Sequence, residues 1–237
     1  MPPSRTPPLH PLPAQALALP WSQALRRRVG RRFVFKFLSI TAFMWVFFVA
    51  YFYLLRHPVR PVTVMPLTAL DHWLPFQPAA MAAYASLWLY VGIPAGLMPT
   101  PRHLVVYGSW IAALCLTGLL CFYVFPTAVP TAHLPANIAS HAGFALLQGV
   151  DAAGNAFPSL HVATAVFSAV WIDRLLHQLR APAWPRVLNA LWGALIVYST
   201  LAIRQHVALD VAGGVVLALA FALPSLRWVK GLEHGPG

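Results

Sequence analysis

Long apolar runs alternate with short polar breaks along most of the chain. The runs cover Val34 to Leu55, Ala79 to Met98, Leu104 to Phe125, Pro158 to Leu176, Val187 to Ile203 and Val207 to Leu226. A helix crosses the hydrocarbon layer with about 20 such residues. The pattern predicts an all-α, polytopic membrane protein: a six-helix transmembrane bundle, with a short helix near Ile138 to Gln148 in the outer 126–157 loop. Residues 1–22 are rich in Pro, Ala and Leu without a helical period and read as a disordered cytoplasmic tail. No repeat or second domain is visible, so residues 23–230 form a single membrane domain and 231–237 a short C-terminal tail.

Charge gives the topology. Only 9% of the residues are charged, against roughly 25% for a soluble domain. The surplus of 16 Lys and Arg over 5 Asp and Glu suggests nucleic acid until the positions are read. Arg26, Arg27, Arg28, Arg31, Arg32 and Lys36 stand at the entrance to the first apolar run, where basic residues fix a cytoplasmic flank. With the N-terminus inside, Arg5, Arg102, Arg174, Arg180, Arg186, Arg227 and Lys230 also fall inside, and only Arg56, Arg60 and Arg204 fall outside. Both termini are therefore expected in the cytoplasm, and nucleic acid is excluded as a partner. Cys115 and Cys121 lie six positions apart in one apolar run, on different helix faces, and read as free buried thiols.

This topology carries the unusual polar residues to one membrane face, the extracytoplasmic one. His206 and Asp210 are spaced i, i+4 and stack on one helical face. A carboxylate that accepts from one imidazole nitrogen fixes the tautomer and leaves the other as a nucleophile. The bland reading, a polar pair capping a helix end, is weaker at a membrane helix mouth, where buried ionisable groups are costly. Pro158 suits a first helical turn, with Asn155 as a possible cap. Ser159 and the free N–H groups of that turn offer a phosphate site, and His161 is placed as general acid and base. Arg204, in the short turn between the last two runs, offers a guanidinium fork for phosphate; its bland reading is an interfacial, snorkelling arginine.

Phe-Pro-Ser-Leu-His at 157–161 and Arg-Gln-His-x-x-x-Asp-Val-x-x-Gly at 204–214 together resemble the type 2 phosphatidic acid phosphatase superfamily. The likeness is closest to the branch with inositol phosphorylceramide synthases, which tends to have Pro-Ser-Leu-His where the wider family has Pro-Ser-Gly-His. Phe125-Pro126-Thr127-Ala128-Val129-Pro130 is similar to that branch's proline-rich first motif, and the likeness covers about residues 104–225. The resemblance implies a metal-independent enzyme with no cofactor, acting on a lipid phosphate among membrane lipids. His206 would attack phosphorus, Asp210 would orient it and His161 would protonate the leaving alcohol. Arg204, Ser159, Pro158, Leu160 and His133 would contact substrate. The chain departs from the family pattern at Thr131, where an Arg often stands, and at Thr200, which replaces the Arg of a Ser-Arg pair.

The expected activity is hydrolysis of a lipid phosphate through a phosphohistidine at the outer face. The alternative is transfer of a phosphoryl or phospho-alcohol headgroup to an alcohol, since both use the same catalytic residues. A metal hydrolase built on His133, His141, His161, His206 and Asp210 lacks a compact ligand motif. A transporter would place its polar groups at the membrane midplane, commonly between repeats.

Overall fold

The computed structural model describes residues 19–130 and 154–234. Nine helices and two very short strands make up these residues. The expected helix at 138–148, His133, His141 and most of the N-terminal tail lie outside them.

The first helix, α1 (Trp21–Gly30), begins inside the segment expected to be disordered and carries Arg26, Arg27 and Arg28. It has no buried residue, and Trp21 stands edge-on to Trp184 at 5.8 Å. α2 (Phe33–Arg56) matches the first apolar run almost residue for residue. It lies at the periphery and buries only Lys36 and Leu55. The Lys36 ammonium donates to the Arg28 carbonyl at 2.6 Å and the Gly96 carbonyl at 2.7 Å. A lysine in an apolar setting thus satisfies carbonyls near the ends of two other helices.

The second run is broken. A 3-10 turn at Pro78–Ala80 leads into α4 (Met81–Tyr90), and α5 (Ile93–Leu97) follows after Val91 and Gly92, with Pro94 in its first turn. Proline lacks the N–H that a continuous helix needs and crowds the preceding turn. A five-residue helix, α3 (Ala69–Trp73), precedes this unit, and its capping box joins Thr68 and Asp71. α6 (Pro101–Val124) starts with proline at its first turn, behind a Thr100 cap that accepts from the His103 amide.

α7 (Leu160–Gln178), α8 (Ala183–Ala202) and α9 (Ala208–His234) complete the bundle. α7 is the central element and packs on α9, α8, α6, α5 and α4. Its Phe167, Trp171, Leu175 and Ala163 join Tyr107, Leu114 and Ala218 in the main core. Among the described residues, four stretches are long and apolar enough to cross a membrane: Phe33–Arg56, Pro78–Leu97, Pro101–Val124 and Ala208–Val229. α7 is shielded by protein on most sides, so it tolerates more polar residues than a lipid-facing helix. Polar bonds tie α4 to α8, α8 to α7 and α7 to α9. Tyr90 donates to the Asn189 side chain at 2.7 Å, the Asn189 amide donates to the Ala169 carbonyl at 2.9 Å, and the Trp171 indole donates to Ser225 at 3.0 Å.

The start of α7 touches the first turns of α9. A Cβ on Gly214 would stand 2.5 Å from the Ser159 carbonyl oxygen, and one on Gly213 would stand 2.4 Å from the Phe157 ring. At Gly108, by contrast, nothing lies within 4 Å of an added Cβ. Gly214→Ala should therefore lower the thermal unfolding midpoint in detergent, by overpacking worth about 1–3 kcal/mol. Gly108→Ala should change that midpoint little.

Candidate active site

At the end of the bundle where α6 and α8 finish and α7 and α9 begin, backbone pairing draws several loops together. β1 (Thr63–Val64) pairs in parallel with β2 (Thr127–Ala128). The Thr127 carbonyl also accepts from the amides of Gly154 and Ala156, and its hydroxyl accepts from the Phe157 amide at 2.8 Å. Thr127, inside the proline-rich motif, thus holds the strand that leads to α7. That strand reaches Pro158 through a cis peptide bond.

Ser159 is the N-cap of α7, and its hydroxyl accepts from the Val162 amide at 3.2 Å. Asn155 does not cap this helix; its amide donates to the Tyr51 hydroxyl on α2. The Ser159 amide donates to the Asp210 carbonyl at 3.0 Å, which locks the α7 start to the first turn of α9. Ser159 is fully buried and Pro158 is buried beside it, so the hydroxyl expected to meet phosphate is occupied with capping. The Leu160 side chain is seated over Gly118 of α6.

His161 stacks on Tyr84 with ring centroids 3.9 Å apart and lies edge-on to Trp88 at 6.2 Å. Its Nε2 is buried without a hydrogen-bond partner. His206 sits in the turn between α8 and α9, where its amide and that of Gln205 both donate to the Thr200 carbonyl. His206 Nδ1 is 3.6 Å from Asp210 Oδ2, and the Asp210 carboxylate is fully buried. The same Oδ2 accepts from the Val207 amide at 3.0 Å, whereas Oδ1 is buried and unpartnered. Pairs of this kind are often long before substrate binds.

The Arg204 backbone adopts a left-handed conformation, with φ of 62°. Its guanidinium donates to the carbonyls of Asp71 at 3.2 Å and Leu74 at 3.1 Å. Sequence reasoning missed Asp71 altogether. Its Oδ2 accepts from the Thr68 amide and hydroxyl, and its Oδ1 accepts from the Ala208 amide at 2.8 Å. Burial alone would raise the Asp71 carboxyl, but these hydrogen bonds and the Arg204 charge hold it below the ordinary carboxylate range. The Thr-x-x-Asp spacing at 68–71 was the available signal, because it is the start of a capping box. Tyr84 and Trp88, which embrace His161, were also missed, being indistinguishable in the sequence from other aromatic residues in a membrane span.

A cavity of about 750 Å³ joins these parts. His161, His206, Arg204, Gln205 and Leu160 line one end, and Phe43, Phe47, Phe48, Gly108 and Ile111 line its apolar length. Among the described residues, no three His, Cys, Asp or Glu side chains gather as a metal site.

Two histidines, a carboxylate and an arginine thus stand at the mouths of adjacent helices. The sequence pattern of the PAP2 superfamily matches residues 64–223. The chain belongs to the PAP2 superfamily. The PAP2 match starts before α3 and ends inside α9, so it takes in Asp71, Tyr84, Trp88, Ser159, His161, Arg204, His206 and Asp210 but not the α2 side of the cavity. Comparison with curated proteins and with solved structures gave no match. Membership supports a phosphatase or phosphotransferase type of activity on a lipid phosphate.

The capping role of Ser159 is open to measurement in this PAP2 protein. Ser159→Ala should cost about 1 kcal/mol of stability, the usual loss for an N-cap. The thermal midpoint should fall, while KM for a lipid phosphate should stay near wild type.

Proposed function

We propose that the protein is an integral-membrane phosphatase that hydrolyses a lipid phosphate through a phosphohistidine, on the extracytoplasmic face. One observation carries this reading. His161 Nε2 is buried without a partner where His161 and His206 line one cavity, and His206 Nδ1 and Asp210 Oδ1 are buried and unpartnered behind it. Unpaired polar atoms in such surroundings are costly. The gap at His161 is filled if a substrate oxygen supplies its partner, and the gap between His206 Nδ1 and Asp210 closes if that bond shortens as charge develops on the His206 ring.

In this mechanism His206 Nε2 attacks phosphorus while Asp210 holds the ring through Nδ1 and stabilises the cation that forms. The P–O bond to the lipid alcohol breaks, and His161 Nε2 donates the proton that the departing oxygen needs. Water then attacks the phosphohistidine and gives its proton to His161, which releases phosphate and restores both rings. Arg204, held by two carbonyls, supplies a fixed positive charge at the edge of the cavity. His133 remains a proposed substrate contact on the sequence argument alone.

A hydrocarbon tail has room below. The cavity lining on α2 runs from Phe35 to Phe52, a rise of about 25 Å at 1.5 Å per residue. That length fits the tail of a membrane lipid lying beside the helix. The helix order sets Arg102, Arg180, Arg186 and Arg227 at helix ends opposite the one that bears His206, and if the chain crosses six times this charge bias supports cytoplasmic termini. The Leu160 position, in place of the wider family's glycine, supports placing the chain near the inositol phosphorylceramide synthase branch.

The test is phosphate release from a lipid phosphate by purified protein, with excess chelator and with or without alcohol acceptors. Release that persists in chelator is expected. A phosphorylated alcohol appearing in place of free phosphate would turn the assignment to transfer. His206→Ala should abolish turnover in a folded protein. Asp210→Asn should lower it on the order of thousands-fold, as the wrong tautomer becomes favoured. Full activity in either variant would refute the mechanism.

A further inference from the structure

α9 opens with more N–H donors than its own residues can satisfy, and two carboxylates divide the work. Asp210, on the helix itself, accepts from Val207. Asp71, more than 130 positions earlier in the chain, reaches in from α3 to accept from Ala208. We propose that Asp71 is a positioning residue for the His206–Asp210 pair. By satisfying Ala208, it leaves the Asp210 carboxylate facing His206, and Arg204 tethers α3 so that Asp71 stays in place.

The geometry supports each part. The Asp71 carboxylate has all three of its bonds to fixed partners: the Thr68 amide at 2.7 Å, the Thr68 hydroxyl at 2.8 Å and the Ala208 amide at 2.8 Å. It is buried, so water does not compete for these donors. The Asp71 backbone carbonyl accepts from Arg204, two residues before His206, so α3 is tied to the catalytic turn from both sides. Without Asp71, the Ala208 N–H becomes an orphan two residues from Asp210, whose Oδ1 is an unpartnered acceptor. A swing of Asp210 toward Ala208 would take it away from His206 Nδ1, which is already 3.6 Å distant. The proposal rests on His206 being the nucleophile, and one of its tests needs no turnover.

Asp71→Asn and Thr68→Val are the variants. The first removes the charge and two acceptor sites; the second removes one donor to Asp71 and should act in the same direction more weakly. Nitrogen-15 spectra of labelled histidine, with the His206 signal assigned by its loss in His206→Ala, report the tautomer directly. The wild type should hold the proton on Nδ1, and Asp71→Asn should show a mixture of tautomers. In turnover, kcat for a lipid phosphate should fall on the order of 100-fold, the scale of a catalytic group displaced by about 1 Å, with KM nearly unchanged. Ser225→Ala, far from the site, gauges what loss of a buried hydrogen bond alone does to stability and rate. An unchanged His206 tautomer in both variants overturns the proposal, as does a loss of kcat no larger than that of Ser225→Ala. If the tautomer shifts but the wild type releases no phosphate from any lipid phosphate, the clamp stands and the phosphatase reading fails.

Discussion

How closely two helix starts approach each other decides whether this site exists. The Ser159 amide reaches the Asp210 carbonyl at 3.0 Å only because Gly213 and Gly214 leave the facing side of α9 bare. Any side chain on Gly214 would collide with backbone, which cannot rotate out of the way as a side-chain tip can. That single contact sets the spacing between the turn bearing His161 and the turn bearing His206. The rest follows outward: Leu160 settles over Gly118, Tyr84 stacks on His161, and the cavity closes around both rings. Glycine on α6 and on α9 thus acts at the same level of the bundle, by letting α7 sit close to each.

Much of the fold was legible because hydrophobic length is a strong signal in a chain with so few charges. α2, α6, α7 and α8 lie within a few residues of the runs read from sequence, and α9 runs eight residues past its expected end. The second run was placed within a residue at each end, as Pro78–Leu97, but its break was not read, because mean hydropathy is blind to where a helix breaks; Gly92 and Pro94 held that information. α1 was missed in part: none of its ten residues is fully buried, although Trp21 and Leu25 share one face and Leu25 packs against the core.

The motif residues of the site were legible for a different reason. His206 and Asp210 share a helix, and their i, i+4 spacing fixes their relation before any tertiary contact is known. Where side chains point across elements was not legible. Arg204 was read as a fork aimed at phosphate, whereas two of its nitrogens meet the carbonyls of Asp71 and Leu74. Ser159 was read as a phosphate contact, whereas its hydroxyl caps α7. In both cases the residue's chemistry suits either role; for Arg204 the partners come from a distant segment, and for Ser159 from the first turn of its own helix. Asp71 is the extreme case, as its partner Ala208 lies 137 positions away.

Charge balance bears on which phosphates such a site can hold. Arg204 is the cation lining the described cavity, and its charge is shared with the neighbouring Asp71 carboxylate. Asp210, a second acid, is fully buried within reach of His206. Two N–H groups at the start of α9, those of Val207 and Ala208, are already given to these two carboxylates, so the helix dipole there is partly offset. The start of α7 keeps a neutral serine cap and no acid in its first turn, so it is the more electropositive of the two helix ends. An anion entering from the cavity therefore meets its favourable field on the His161 side, with His206 opposite. Under the phosphatase reading, this places the leaving-group oxygen nearest the histidine that must protonate it. A balance with so little fixed positive charge suits a single phosphate better than a diphosphate, whose second group would find no cation among the described residues to meet it.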